Sequence, residues 1–356
     1  MTKTIAAVVG AVDEPVLGGT LDDNGIVAEC NGEGDAARVL LRFPYPAKAQ
    51  QKAVVAECHN RLRDNGIAAD IRAEVVIHAR TVQGGVQLID GIKNIIAVAS
   101  GKGGVGKSTT AANLALALSA EGARVGILDA DIYGPSLPVM LGINRRPDGD
   151  DKGITPLMAH GLQLMSIGYL VGEDQPMIWR GPMATRALMQ LLRETKWDNL
   201  DYLFLDMPPG TGDIQLTIAQ QAPVTGAIVV TTPQDLALTD AKKGLVMFNK
   251  VSIPVLGVVE NMSVYVCGQC GAAAEIFGRG AGEKLAKDYG AELLGQLPLD
   301  INIRAAADGG KPSVVAEPDG NAAQLYRQTA IRAAAKIAQK TRDRSSAFPK
   351  VVINKG

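Results

Sequence analysis

The apolar positions of this chain follow two different patterns, and the change comes near residue 94. Beyond it, short continuous apolar runs alternate with glycine- or aspartate-bearing turns and with stretches of helical periodicity. Continuous runs are typical of parallel strands that helices cover on both faces. We therefore predict a doubly wound, mostly parallel α/β domain, with strands at 95–99, 125–128, 162–165, 202–205, 227–230, 255–259 and 292–294.

The first 80 residues carry shorter apolar runs and a single amphipathic stretch. Their pattern predicts a small α+β domain, with strands at 25–29, 38–43 and 68–77 and a helix at 47–65. The predicted organisation of the whole chain is a small α+β domain over 1–80, a linker over 81–93, the α/β domain over 94–341 and a flexible tail over 342–356.

Composition and charge exclude several classes of protein. With 47% hydrophobic and 21% charged residues among 356, most of the chain cannot be disordered. Lys plus Arg number 36 against 37 Asp plus Glu, so the charge does not indicate a nucleic-acid binder. No stretch reaches the roughly 18 consecutive apolar residues of a membrane span, and the start lacks the cleavage site of a signal peptide. We expect a cytoplasmic protein that binds neither nucleic acid nor membrane.

A glycine-rich segment stands directly after a predicted strand and directly before a predicted helix at 108–120. It matches the phosphate-loop pattern in the context that the pattern requires, whereas an ordinary glycine-rich turn is the alternative. Backbone N–H groups would bind nucleotide phosphates, Lys107 would reach the β- and γ-oxygens, and Ser108 would ligate Mg²⁺. The predicted nucleotide-binding residues of the loop are Gly101, Lys102, Gly103, Gly104, Val105, Gly106, Lys107, Ser108 and Thr109.

Three aspartates follow predicted strands. Asp129 and Asp131 come after the strand at 125–128, and Asp206 follows Leu205 at the end of another. Because ligands of doubly wound sheets bind at the carboxyl ends of strands, we expect all three carboxylates to face the phosphates. Asp206 would hold Mg²⁺ through water, Asp131 would orient the attacking water, and Gly210 would offer its N–H to the γ-phosphate. Helix capping is the alternative role for the aspartates.

Two of the four cysteines, Cys267 and Cys270, form a Cys-x-x-Cys pair. Such a pair aims two sulfurs at one point, and both iron–sulfur clusters and structural zinc usually take four protein ligands. The pair is therefore half of a metal site. Since the sequence has no second Cys-x-x-Cys, we expect a twofold axis to bring together the pairs of two chains. At this point both iron–sulfur and zinc remain open.

The motifs together resemble a known family. Residues 101–109 resemble the deviant Walker A signature, and the segments at 129–136, 206–213 and 231–234, with Glu-Asn-Met-Ser and Cys-x-x-Cys, resemble Mrp- or ApbC-type iron–sulfur cluster carrier ATPases. The resemblance implies a homodimer in which Lys102 reaches the nucleotide of the other subunit and neutralises charge on the transferred phosphoryl group. It also implies that Asn261 contacts the adenine.

The same resemblance implies a function. Family members bind ATP with Mg²⁺ and hydrolyse it slowly, hold a 4Fe-4S cluster between subunits through the paired cysteines, and transfer it to apo-proteins. Lys102, Lys107, Asp131 and Asp206 would then be the catalytic residues. The first 80 or so residues resemble the small domain of cluster-assembly proteins. The alternatives are a deviant Walker A ATPase that positions cargo on DNA or membrane, and the same ATPase with a structural zinc site.

Overall fold

A computed structural model describes residues 4–32, 37–80, 82–84, 86–169 and 181–340, so the predicted tail at 342–356 lies outside the described residues. The N-terminal part contains helices α1 (Ile5–Gly10) and α2 (Lys48–Asp64) and strands β1 (Val27–Asn31), β2 (Arg38–Phe43) and β3 (Asp70–Val75). Strand β2 pairs antiparallel with β1 and parallel with β3. This is the α+β arrangement that the sequence pattern predicts, although β1 begins at Val27 rather than at residue 25.

Helix α2 is the crossover between the two parallel strands of this small sheet. Val54, Cys58 and Leu62 are its buried residues, and they recur every four positions. Residues at this spacing share one face of a helix, which explains why a helix with many charged residues still packs on the sheet.

The rest of the described chain builds a larger unit. Its strands are β4 (Ile95–Ser100), β5 (Val125–Asp129), β6 (Gly149–Asp150), β7 (Gly153–Ile154), β8 (Leu157–Ala159), β9 (Leu162–Ser166), β10 (Tyr202–Asp206), β11 (Gly226–Thr231), β12 (Val255–Glu260), β13 (Tyr265–Val266), β14 (Ala273–Ala274) and β15 (Leu293–Gln296). Its helices are α3 (Lys107–Ala120), α4 (Leu137–Met140), α5 (Gly181–Glu194), α6 (Asp213–Gln221), α7 (Asp235–Lys250), α8 (Ala281–Asp288), α9 (Ile301–Asp308), α10 (Ser313–Ala316) and α11 (Asn321–Ala338), with a 3-10 turn at Ile167–Tyr169. None of the helices within the described ranges is long and apolar enough to cross a bilayer.

The large sheet has eight strands in the order β15-β12-β11-β4-β10-β5-β9-β8. Its neighbouring strands are parallel except for β8 and β9. Every residue of β4, β5, β10 and β11 is buried, as the continuous apolar runs require. The predicted doubly wound, mostly parallel α/β fold is confirmed, and each predicted run is a strand.

The connections place helices on both faces of this sheet. From β4 the chain crosses through α3 to β5 on one side, whereas from β11 it crosses through α7 to β12 on the other side. Parallel crossovers are right-handed in almost all proteins, so two crossovers in opposite directions put α3 and α7 on opposite faces. The carboxyl end of β4, near the centre of the sheet, therefore opens between them.

One edge of the sheet differs from the prediction. Strand β8 pairs antiparallel with β9 and ends the sheet with three residues. The turn between them has left-handed backbone at His160 and Gly161, with φ of +48° and +85°. A strand this short carries too few residues for a recognisable apolar run, and short edge strands also limit pairing with other chains.

The two units meet at the far end of α3. Helix α2 begins after Ala47, which has no side chain that can cap the helix. Glu121, buried at the end of α3, instead accepts a hydrogen bond from the N–H of Ala49 at 3.1 Å. A carboxylate is stabilised at the positive N-terminus of a helix, so Glu121 fastens α2 to the larger unit.

Candidate functional site

The glycine-rich loop joins β4 to α3 at the carboxyl edge of the sheet. Gly104 and Gly106 have left-handed backbones with φ of +80° and +79°, which residues with a Cβ rarely adopt. A Cβ on Gly101 would overlap the backbone of Asp240 in α7. The loop therefore needs its glycines both for its turns and for its close approach to α7. It leads straight into α3, so the positive end of that helix faces the loop.

Lys107 is buried among acidic side chains. Its Nζ lies 2.5 Å from Oδ1 of Asp206 and 3.9 Å from Oδ2 of Asp131. The same Nζ is 3.2 Å from Oγ of Ser108. The structure thus brings together four predicted residues from three segments of the chain. A phosphate oxygen can replace a carboxylate oxygen as the partner of this ammonium, because both are anionic acceptors.

Asp206 and Ser108 fit the predicted magnesium role. Asp206 is fully buried, and its Oδ2 has no hydrogen-bond partner among the described residues. A buried carboxylate oxygen left in this way costs free energy until a water or a cation meets it. Magnesium takes oxygen ligands and usually keeps several waters. The donor set, a serine hydroxyl with an unpartnered carboxylate oxygen nearby, matches that chemistry.

Asp129 supports the loop that carries Asp131. Its carboxylate accepts hydrogen bonds from the N–H groups of Asp131, Ser136 and Leu137 at 3.0–3.1 Å and from the hydroxyl of Ser166 at 3.2 Å. Burial and the neighbouring Asp206 carboxylate raise the pKa of Asp129, while the N–H groups of Leu137 and Asp131 and the Lys107 ammonium lower it in part. The structure therefore places Asp129 at the start of α4 as a support. Its contact with a phosphate stays a prediction.

Asp131 lies at the mouth of the same cluster and is partly exposed. Burial raises the pKa of Asp131 above its ordinary value, and Asp206 adds to this effect while the Lys107 ammonium opposes it. A carboxylate with a raised pKa takes up a proton more readily. The role of Asp131 toward attacking water stays a prediction, and the raised pKa is compatible with it.

Gly210 belongs to the segment after β10, which we call the switch segment (residues 207–212). Its φ is +98°, and its N–H donates to the carbonyl of Ser100 at 2.9 Å. The predicted contact of this N–H with a γ-phosphate therefore requires that hydrogen bond to open. Gln215 also holds the segment, because its Nε2 donates to the carbonyl of Pro209 at 2.5 Å.

Lys102 points toward the loop after β11. Its Nζ donates to Oε1 of Gln234 at 3.4 Å, and no carboxylate of the described residues forms an ion pair with it. Gln234 closes the Thr-Thr-Pro-Gln segment that the sequence singled out, and Thr232 also donates to it at 3.2 Å. A partly exposed ammonium held by a neutral amide can move to another partner at little cost.

Asn261 directly contacts the phosphate loop. It is buried at the end of β12, and its Nδ2 donates to the carbonyl of Val105 at 2.9 Å. A Cβ on Gly106 would overlap that same nitrogen. Asn261 therefore lies against the phosphate loop, and its contact with adenine stays a prediction.

Cys267 and Cys270 lie on a small hairpin formed by β13 and β14, which we call the cysteine hairpin (residues 265–274). The N–H of Cys267 donates to the carbonyl of Ala272 at 2.9 Å, and the N–H of Gly271 donates to the carbonyl of Cys267 at 2.8 Å. The N–H groups of Cys270 and Gln269 lower the pKa of the Cys267 thiol. A thiol with a lowered pKa is the better metal ligand, because thiolate is the form that binds.

The cysteine hairpin presents half a site on the surface. Cys270 is exposed and Cys267 is partly exposed. Within the described ranges, no group of three or more Cys, His, Asp or Glu side chains is placed to hold a metal ion. Tyr265, Val266 and Ile276 beside the cysteines are exposed as well. The cysteine hairpin therefore offers two thiols, half of the four ligands that iron–sulfur clusters and structural zinc usually take, next to exposed apolar side chains.

Known proteins share this combination of motifs. The family model of NUBPL iron-transfer P-loop NTPases matches residues 91–334. The chain belongs to this family. The predicted family resemblance is thereby confirmed, and the nucleotide site described above is that of a P-loop NTPase.

Named relatives cover both units of the chain. The iron–sulfur cluster carrier protein of Escherichia coli (strain K12) is 64% identical over 251 residues, which is 70% of this chain and 68% of that protein. The iron–sulfur cluster carrier protein of Deinococcus radiodurans is 41% identical over 345 residues, or 96% of this chain and 97% of that protein. The mouse iron–sulfur cluster transfer protein NUBPL is 49% identical over 241 residues, covering 67% of this chain and 76% of its own length.

Solved structures agree with the fold. A nucleotide-binding protein from Archaeoglobus fulgidus in complex with ADP is 37% identical with a TM-score of 0.58, covering 65% of this chain and 91% of that chain. The cell division ATPase MinD of Pyrococcus furiosus has a TM-score of 0.52 at 23% identity, covering 67% of this chain and 97% of its own. The second likeness concerns the fold alone.

Sequence reasoning missed two residues that shape the site. Ser166 donates to Asp129 from the end of β9, and Gln234 holds Lys102. A polar residue at the carboxyl end of a buried parallel strand is a signal that could have indicated Ser166. Gln234 lies in the segment at 231–234 that resembles the family motif, but its pairing with Lys102 depends on tertiary packing.

Proposed function

We propose that this chain is an ATP-hydrolysing iron–sulfur cluster carrier. Two copies hold one 4Fe-4S cluster between their Cys267 and Cys270 pairs and pass it to apo-proteins in the cytoplasm. The single observation that carries the proposal is the half site: one exposed and one partly exposed thiol, the latter with a lowered pKa, on a chain whose phosphate loop and acidic residues lie together. Cluster transfer requires that the protein can release the cluster. Thiols contributed by two chains can release it when the two chains move apart.

Hydrolysis uses the residues gathered at the carboxyl edge of the sheet. Lys107 exchanges its carboxylate partner for the β- and γ-phosphate oxygens, and the loop N–H groups bind the remaining oxygens. Ser108 and Asp206 would hold Mg²⁺, and the ion would supply positive charge that neutralises the transferring phosphoryl group. Asp131 orients the attacking water and takes up its proton, in keeping with its raised pKa.

The second copy completes both sites of the proposed homodimer. Lys102 leaves Gln234 and reaches the triphosphate of the other subunit, where its positive charge stabilises the transferring phosphoryl group. The apolar side chains of Tyr265, Val266 and Ile276 become covered when two cysteine hairpins meet. One twofold axis therefore serves the nucleotide sites and the cluster together.

The experiment is anaerobic reconstitution with iron and sulfide, followed by metal analysis and incubation with an apo-ferredoxin under Mg-ATP. We expect the parent protein to take up about four irons and four sulfides per two chains, since four thiolates hold such a cluster. We also expect the apo-ferredoxin to gain its cluster. Cys267→Ala and Cys270→Ala should abolish loading.

Cys30→Ala is the matched control, because Cys30 is a partly buried thiol of the small sheet and should leave loading unchanged. Zinc in the anaerobically purified protein, with no uptake of iron by the parent, would indicate a structural zinc site instead. Equal iron loading by the parent and by the Cys267→Ala and Cys270→Ala variants would overturn the proposal.

A further inference from the structure

We propose that Asn261, Met262 and Ser263 are positioning residues that join the phosphate loop to the cysteine hairpin, so that nucleotide binding alters the reactivity of Cys267. The inference rests on the proposed function, because it assigns the path by which the ATPase site acts on the cluster ligands. We call residues 261–264 the connector.

The connector begins in contact with the phosphate loop. The Nδ2 of Asn261 donates to the carbonyl of Val105, inside the loop, at 2.9 Å. The side chain of Met262 also reaches the loop, with its Cε 3.9 Å from the position that a Cβ on Gly106 would take. Two successive side chains of the connector therefore lie beside the loop, the first of them hydrogen-bonded to it.

The connector ends in contact with the segment after β15. The N–H and the hydroxyl of Ser263 both donate to the carbonyl of Leu297, at 2.9 and 3.0 Å. The carbonyl of Val264 accepts from the N–H of Leu299 at 2.8 Å. The cysteine hairpin starts at the next residue, Tyr265. Its base therefore follows directly on four residues, of which the first two lie at the phosphate loop and the last two are bound to the segment after β15.

Met262 is the point where the connector changes direction. Its φ is +59°, a left-handed conformation that is unfavourable for a residue with a side chain. Hydrogen bonds on either side hold it there: the N–H of Asn261 donates to the carbonyl of Thr231 at 2.8 Å, and Ser263 is bound to Leu297. Strained backbone of this kind persists only where its surroundings enforce it.

A change at the loop therefore cannot be absorbed within the connector. When phosphates occupy the loop and Lys107 changes its partner, the backbone at Val105 and Gly106 is redirected toward the ligand. Asn261 and Met262 follow their loop contacts, and the bend at Met262 transmits the shift to the hairpin. Cys267 is held on that hairpin by the bond from its N–H to the carbonyl of Ala272 and by the bond from the N–H of Gly271 to its own carbonyl, so a shift of the hairpin changes the position and the accessibility of its thiol.

The test measures iodoacetamide alkylation of Cys267 in the full-length apo-protein, with and without saturating Mg-ADP, by peptide mass spectrometry. We expect ADP to change the rate by about fivefold in the parent, within the usual range of coupling between two sites. Met262→Gly relieves the left-handed strain and removes the contact with Gly106. It should bring the rate ratio close to one while ADP, at a concentration adjusted to the measured affinity, still saturates the site.

Ser252→Gly is the matched control. Ser252 has the same φ of +59° but lies at the end of α7, away from the connector, so this variant should keep the parent ratio. Ser263→Ala is the second variant, because it removes only the hydroxyl bond to Leu297. We expect it to reduce the rate ratio, so it tests the inference even if Met262→Gly fails to fold.

A parent whose thiol is indifferent to ADP, or a Met262→Gly variant that keeps the parent ratio, would overturn the inference. Either result would leave cluster loading and transfer untouched as separate measurements. Conversely, if ADP changes the alkylation rate of Cys267 but the protein never loads iron, the proposed function would be refuted and the coupling through the connector would still hold.

Discussion

Replacing Lys107 by methionine removes the cation from a buried cluster of carboxylates. At an effective dielectric constant of about 20, the attraction over the 2.5 Å between Nζ and Asp206 is about 7 kcal/mol, and desolvation of the two charges offsets much of it. Removing one partner of a buried pair costs about 3–5 kcal/mol, because the other charge is left uncompensated. We expect Lys107→Met to lose about this much free energy of unfolding at neutral pH.

The loss should depend on pH with a definite sign. Lys107 lowers the pKa values of Asp129 and Asp131, so its removal raises both further. A carboxylate with a raised folded-state pKa stabilises the fold below its unfolded pKa, and this contribution is lost as pH rises through the folded value. The pKa of Asp129 is already about 7 in the parent, from an ordinary 3.8. The deficit of the variant should therefore be small near pH 5 and grow toward pH 8.

Urea unfolding without nucleotide, followed by the fluorescence of the buried Trp197 in the larger unit, measures this deficit. The double variant Lys107→Met/Asp206→Asn serves as control, because it removes both charges of the pair and should regain most of the lost stability. A deficit below about 1 kcal/mol, typical of an exposed ion pair, would refute the reasoning. A deficit that is the same at both ends of the pH range would refute it as well.

Three further predictions concern other parts of the molecule. Iodoacetamide should label Cys267 below pH 9.0, the ordinary pKa of the thiol, while Cys58, whose pKa burial raises to about 11, stays unlabelled in peptide mass spectra; labelling of both at one rate would contradict this. Glu121→Ala removes the cap on α2 and should lower the free energy of unfolding by about 1 kcal/mol, whereas Glu121→Gln should lower it by less. Thermal unfolding measures both variants, and an alanine variant that unfolds like the parent would contradict this prediction. Gly101→Ala should abolish ADP binding in calorimetry, because the added Cβ would overlap the backbone of Asp240, while Gly84→Ala, with open space around it, binds ADP like the parent; retained binding by Gly101→Ala would show that the loop can move away from α7.

The buried strands of the large sheet could be predicted because a strand that helices cover on both faces needs apolar residues at every position, which appear in the sequence as a continuous apolar run. The phosphate loop and the aspartates after β5 and β10 could be predicted for a related reason. Sequence position along a parallel sheet determines which edge a residue occupies, so Lys107, Asp131 and Asp206 were expected to meet, and they do.

What the hydrophobic pattern could not supply depends on which particular groups form hydrogen bonds or pair as strands. The carboxylate of Asp129 turns to the N–H groups of Ser136 and Leu137, a local bonding choice that alternation along an extended segment does not indicate. Strand β8 has three residues, and only its pairing with β9 defines it. The engagement of the Gly210 N–H by Ser100 likewise depends on the packing of β10 beside β4.

Two chains that share one cluster through Cys267 and Cys270 should be visible as an intact complex in native mass spectrometry of the anaerobically loaded protein. We expect a species with the mass of two chains plus a single 4Fe-4S cluster, which disappears when either cysteine is replaced by alanine and persists when Cys30 is replaced. A cluster or a zinc ion carried by a single chain, or a loaded dimer that survives loss of both Cys267 and Cys270, would contradict this sharing.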